Sequence, residues 1–108
     1  MISFEDATLV LRKWREESAS LDVFLAEERL LTVVGRCVVV DFLGFMLTLG
    51  NADIVRISLG LVGAEFRYED QRARLRFVNS DVDLRDAVCA LRIQFPTGLV
   101  AMLVERQQ

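Results

Sequence analysis

The stretch from Leu30 to Leu49 reads LLTVVGRCVVVDFLGFMLTL, and its only charged residues are Arg36 and Asp41. It is long enough to span a bilayer as a helix. Two charges near its middle would be costly there, and it is rich in β-branched residues and carries Gly35 and Gly44. The pattern predicts two consecutive buried strands instead. Leu31, Val33, Gly35, Cys37 and Val39 alternate with Thr32, Val34, Arg36, Val38 and Val40. Both sets are largely apolar, which predicts a strand flanked on both sides. Gly35 inside it marks a bend or a close backbone approach.

Upstream of this run the period changes. Phe4, Ala7, Leu11 and Trp14 fall on one helical face, which predicts a helix over 3–17 with Trp14 as a core anchor under a sheet. Ser3 and Asp6 have the spacing of a capping box. Glu5 and Asp6 suit the positive end of the helix dipole, and Arg12, Lys13 and Arg15 suit the negative end. From Ser20 the alternation is two: Leu21, Val23 and Leu25 against Asp22, Phe24 and Ala26, with Glu27-Glu28-Arg29 as a turn.

Downstream, Phe45–Leu49 and Ile54–Leu59 read as strands around a Gly50–Asp53 turn. Ala64, Phe66 and Tyr68 form another, and Leu75 with Phe77 a further one after a polar turn over Glu69–Arg72. Asn79–Asp83 reads as a loop. The chain closes on a hairpin in which Cys89, Leu91, Ile93 and Phe95 lead into Pro96-Thr97-Gly98, and Leu99–Val104 returns. The expectation is a single, mainly β domain over 1–108. It has an N-terminal helix, then a β-rich 20–106 folded as a seven- or eight-stranded antiparallel small barrel or sandwich.

Composition narrows the function. The 108 residues include 53% hydrophobic side chains, more than a soluble monomer of this size usually carries. The surplus predicts either strands buried on both faces or an apolar surface that meets a partner. There is no histidine, so the commonest acid–base group and the commonest metal ligand are missing. The net charge of −3 and the pI near 4.9 disfavour nucleic acid as a partner without forbidding a local basic patch. Cys37 and Cys89 each sit in an apolar run and read as free buried thiols, which suits a reducing cytoplasm. The opening MISFEDATL has acids where an export signal has bases. A cytoplasmic protein with no membrane partner and no cofactor is expected.

Gly35-Arg36-Cys37-Val38-Val39-Val40-Asp41 has a strand glycine, five residues and an aspartate, followed by the apolar strand Phe45–Leu49. With Leu21–Leu25 before it, the region to about Val62 resembles the Sm-like family, the ring-forming RNA-binding small barrels. The resemblance implies a bent five-stranded barrel after a helix, with Gly35 and Asp41 at motif positions. The chain has Gly44-Phe45-Met46 where the family has Met-Asn, and Leu59 where it has a basic residue before glycine.

The residues themselves offer one other candidate site. Arg72, Arg74 and Arg76 alternate on a predicted strand with Arg67 nearby, and a row of guanidinium groups can hold phosphate or carboxylate. The plainer alternative is a solvated face paired with Glu65, Glu69 and Asp70. Asp81, Asp83 and Asp86 lack the glycine and the terminal glutamate of a calcium loop and read as a loop with a capping aspartate. Asp41 reads as a turn residue leaving its strand. No nucleophile–base pair, phosphate loop or dinucleotide fingerprint is present. The expected function is a non-enzymatic, self-associating β domain acting as an interaction or structural module. The alternatives are an Sm-like oligonucleotide-binding ring and a small-ligand-binding barrel.

Overall fold

The computed structural model describes residues 1–51, 56–70 and 87–107. One helix, α1 (Phe4–Glu17), precedes seven strands: β1 (Leu21–Glu27), β2 (Leu30–Leu43), β3 (Met46–Gly50), β4 (Arg56–Gly60), β5 (Glu65–Glu69), β6 (Ala87–Gln94) and β7 (Val100–Arg106). The expected strand around Leu75 and Phe77, the Asn79–Asp83 loop and the start of the Ile54–Leu59 strand lie outside the described residues.

The strands form one antiparallel sheet in the order β4-β3-β2-β1-β7-β6-β5. The mainly β class and the N-terminal helix stand as expected. Among the described residues the sheet is not closed into a barrel: β4 and β5 are its edges, and α1 lies against both β2 and β5. Phe4 packs between the β2–β3 turn and β5. Its ring centroid is 4.8 Å from that of Phe45, 6.0 Å from Phe66 and 6.4 Å from Phe42.

The Leu30–Leu49 run is the β2–β3 hairpin. Among the described residues no helix is long and apolar enough to cross a membrane. β2 runs for 14 residues because it bends rather than breaks. Its register slips against β1 between Val23 and Phe24, and Gly35 sits at the slip with φ +107°. That backbone conformation suits glycine alone, and the extra residue lets the strand turn over the helix. A second slip against β3, between Val39 and Asp41, carries β2 into its far half.

α1 starts where Ser3 accepts a hydrogen bond from the Asp6 amide at 3.2 Å. Ala7, Leu11 and Trp14 line its buried face. They meet Leu21, Val23, Cys37, Val39, Leu47, Leu49, Leu91, Ile93 and Leu103 in the main core. A second cluster lies on the opposite face of the sheet, with Phe24 and Ala26 from β1, Ala90 from β6, and Val100, Met102 and Val104 from β7. Burial on both faces of β1 and β7 accounts for much of the apolar surplus. Both thiols are free and buried. The last hairpin turns as expected: the Gly98 amide donates to the Phe95 carbonyl at 3.0 Å, with Gly98 at φ +95°.

Candidate functional site

Gly35 and Asp41, the two positions of the Sm-like resemblance, both lie on β2. Gly35 forms the bulge described above. Asp41 does not leave the strand, as its flanking residues suggested. It lies inside β2, which continues to Leu43, because the Val39–Asp41 slip absorbs the irregularity without ending the ladder. Its Oδ1 accepts from the Phe42 amide at 2.9 Å and lies 3.6 Å from Arg15 of α1. Both side chains are well exposed, so this pair contributes little.

Of the arginine row, Arg67 lies on β5 and is exposed. Arg72, Arg74 and Arg76 lie outside the described residues, as do Asp81, Asp83 and Asp86. The structure brings to Arg67 a neighbour that sequence reasoning missed. Arg92 of β6 is its direct cross-strand partner. The signal was available only as alternation on β6, where Arg92 is the one charged residue of AVCALRIQ. Arg67 and Arg92 flank a cavity of about 60 Å³ whose walls also include Glu65, Phe66, Gln94 and Met1.

A part-buried polar relay runs beneath α1. Trp14 Nε1 donates to Glu105 Oε1 at 3.0 Å, and the Cys89 thiol donates to the same oxygen at 3.3 Å. Tyr68 in turn hydrogen-bonds Cys89. Burial pushes the Cys89 thiol up to about 11, with the Glu105 hydrogen bond and charge adding to it and the Tyr68 bond and Lys13 opposing. Burial also raises Tyr68, reinforced by its bond to Cys89. Cys37 is raised by burial and then by the charge of Asp22. A thiol held protonated is a poor nucleophile. This relay docks the helix, through Trp14, onto β7 and β6. Among the described residues no group of His, Cys, Asp or Glu has the arrangement to hold a metal ion.

The two sheet edges differ. On β5 the Ile2 amide donates to the Phe66 carbonyl at 3.0 Å, so the segment before α1 engages that edge. β5 also carries Glu65, Arg67 and Glu69, the charges with which edge strands discourage pairing. On β4 the far edge has no strand beside it among the described residues. Its sequence is RISLG, with Ile57 and Leu59 turned to the core and Arg56, Ser58 and Gly60 on the other face. Next to it the β2–β3 turn exposes Leu43 (68%), Phe45 (52%) and Met46 (49%), and Val62 (69%) follows β4. The Leu61 amide donates to the Phe45 carbonyl at 2.7 Å, which ties the segment after β4 to that turn. The result is an open strand edge ending in an apolar tip. A broad groove of about 670 Å³ opens beside the start of β4, between Arg36 and Arg56.

Comparison of the chain with protein-family models, with curated proteins and with solved structures found no match in any of the three.

Proposed function

We propose that this chain is a non-catalytic, self-associating β domain whose copies join along β4. The observation that carries the reading is the inequality of the two edges: β5 is engaged by Ile2 and charged, whereas β4 has no partner strand among the described residues and is flanked by Leu43, Phe45, Met46 and Val62. An open edge is a template for another strand.

A second copy fits this edge. Antiparallel pairing about a twofold axis at Ser58 sets Ser58 opposite its own counterpart, Ile57 opposite Leu59, and Arg56 opposite Gly60. The Ile57–Leu59 pairs continue the apolar inner face from one copy to the next. No like charges meet, which matters because directly opposed like charges destabilise a ladder. A head-to-tail ring, as the Sm-like resemblance implies, requires β4 of one copy to reach β5 of the next, and that edge is where Ile2 binds. Twofold pairing is the better-supported assembly. Five residues of edge make a short interface, so dimerisation in the micromolar range is expected.

Light scattering behind size exclusion tests this directly. The expected mass is that of a dimer at high micromolar concentration. Ser58→Lys places two ammonium groups face to face at the axis and yields a monomer, whereas Ser58→Ala stays dimeric. Gly60→Glu sets a carboxylate opposite Arg56 and tightens the dimer; a Cβ at Gly60 meets nothing within 4 Å. A wild-type monomer at near-millimolar concentration, or a dimeric Ser58→Lys, sinks the proposal. A six- or sevenfold mass would return the ring.

A further inference from the structure

The Arg67–Arg92 pair poses a physical problem that the dimer does not solve. The two residues are directly opposed across β5 and β6. Like charges in that position repel. An arginine on an outer face normally escapes such a conflict by pairing with a nearby carboxylate or by extending into water. Arg92 is only partly exposed. Its Nε is buried and has no hydrogen-bond partner. Among the described residues, neither Arg67 nor Arg92 forms an ion pair, although Glu65 lines the same cavity. A buried donor without an acceptor is rare in folded proteins and calls for an explanation.

The surroundings show why Arg92 is held there. On its other side β6 pairs with β7, and Arg92 stands opposite Met102, which is fully buried in the outer-face cluster. The apolar stem of Arg92 therefore continues that cluster toward β5. Arg92 lines the small cavity shared with Arg67, Glu65 and Gln94. The cavity, about 60 Å³, has room for a small ion.

We infer that this cavity is a binding site for one tetrahedral oxyanion, a phosphate group, held between the guanidinium groups of Arg67 and Arg92. Such an ion answers both problems at once. Its oxygens accept from guanidinium N–H groups at the cavity, and the charge neutralises two cations that otherwise face each other. A tetrahedral ion offers acceptors toward two converging guanidinium groups, whereas a flat carboxylate matches one fork at a time. Gln94, across the ladder from Glu65, supplies a neutral amide donor at the cavity wall. Glu65 works against the ion, and this gives the test its sign.

Isothermal titration of the whole chain with inorganic phosphate, at fixed ionic strength with chloride as the balancing anion, is the experiment. One saturable phosphate per chain is expected. Arg92→Gln and Arg67→Gln each weaken binding by about tenfold or more, the loss of one charge-assisted hydrogen bond. Glu65→Gln tightens it by removing a repelling carboxylate, and Arg56→Gln, at the separate groove, leaves it unchanged. Circular dichroism of each variant checks that the fold is retained. Phosphate should also raise the melting temperature of the wild type and not that of Arg92→Gln, a readout that survives even where a variant is less stable. No saturable binding at millimolar phosphate overturns the proposal. So does binding that is lost with Arg56→Gln and kept with Arg92→Gln. A short oligonucleotide that binds where free phosphate does not would also overturn it, in favour of an extended nucleic-acid surface.

Discussion

At the scale of single residues, the most consequential group is Cys89. Its thiol is buried, donates to Glu105 and is held up to about 11 from an ordinary value near 9. Between those values the unfolded chain gives up a proton that the folded chain keeps. Stability from this thiol is therefore complete below about pH 9 and is lost as the pH rises toward 11. The loss is on the order of 2 kcal/mol, and the raised Tyr68 adds to it at the upper end. Urea midpoints of wild type and Cys89→Ala, measured across that range, should converge as the pH rises. Parallel curves would show that the thiol has no part in the alkaline loss. The sequence predicted a free, buried thiol from its apolar neighbours. It could not reveal Glu105 as the acceptor, because strand pairing, not sequence proximity, joins β6 to β7.

At the scale of elements, local patterns were readable wherever one residue type decides the backbone. The helix over 3–17 matches α1 to within a residue at its start, since Ser3 supplies the cap and the 3.6-residue period the buried face. The Pro96-Thr97-Gly98 turn is likewise as expected. Asp41 was misread for a physical reason: a bulge and a strand end both interrupt alternation, and only the ladder beyond tells them apart. Gly35 is the clearest case of a residue whose need is conformational. Gly35→Val forces a β-branched side chain to φ +107° and should cost roughly 2 kcal/mol in denaturant unfolding, although a Cβ there meets no atom within 4 Å. If Gly35→Val unfolds at the wild-type midpoint, the bulge relaxes and the bend of β2 has another cause.

At the scale of the whole molecule, the sequence foretold many short strands behind a helix, but not their order. Neighbouring strands mostly pair with neighbours, yet the sheet is joined in the middle by β1 and β7, the first strand and the last. Periodicity records which face a residue takes, not which strand lies beside it. Nor does it say whether a sheet closes. Here Phe4 touches rings from β2, the β2–β3 turn and β5. Phe4→Ala removes all three contacts and should cost about 2 kcal/mol, with the loss visible as faster amide exchange in β5 than in β7. Uniform acceleration across the sheet would mean that the ring supports the core at large and not the link between the β2–β3 turn and β5.

The β1–β7 pairing also has a meaning in time. A chain made from its N-terminus presents β1 long before β7 exists, since Leu21 pairs with Glu105 and Ala26 with Val100. Until the final strand appears, one side of β1 has no ladder and Phe24 lacks Met102 as its cross-strand neighbour. The four-stranded β1–β4 meander must wait, half-clad, for its second half. Such delayed, long-range closure slows folding and prolongs the interval in which a nascent strand can be captured by the wrong edge. The last seven-residue strand is therefore the step on which a productive birth of this protein depends.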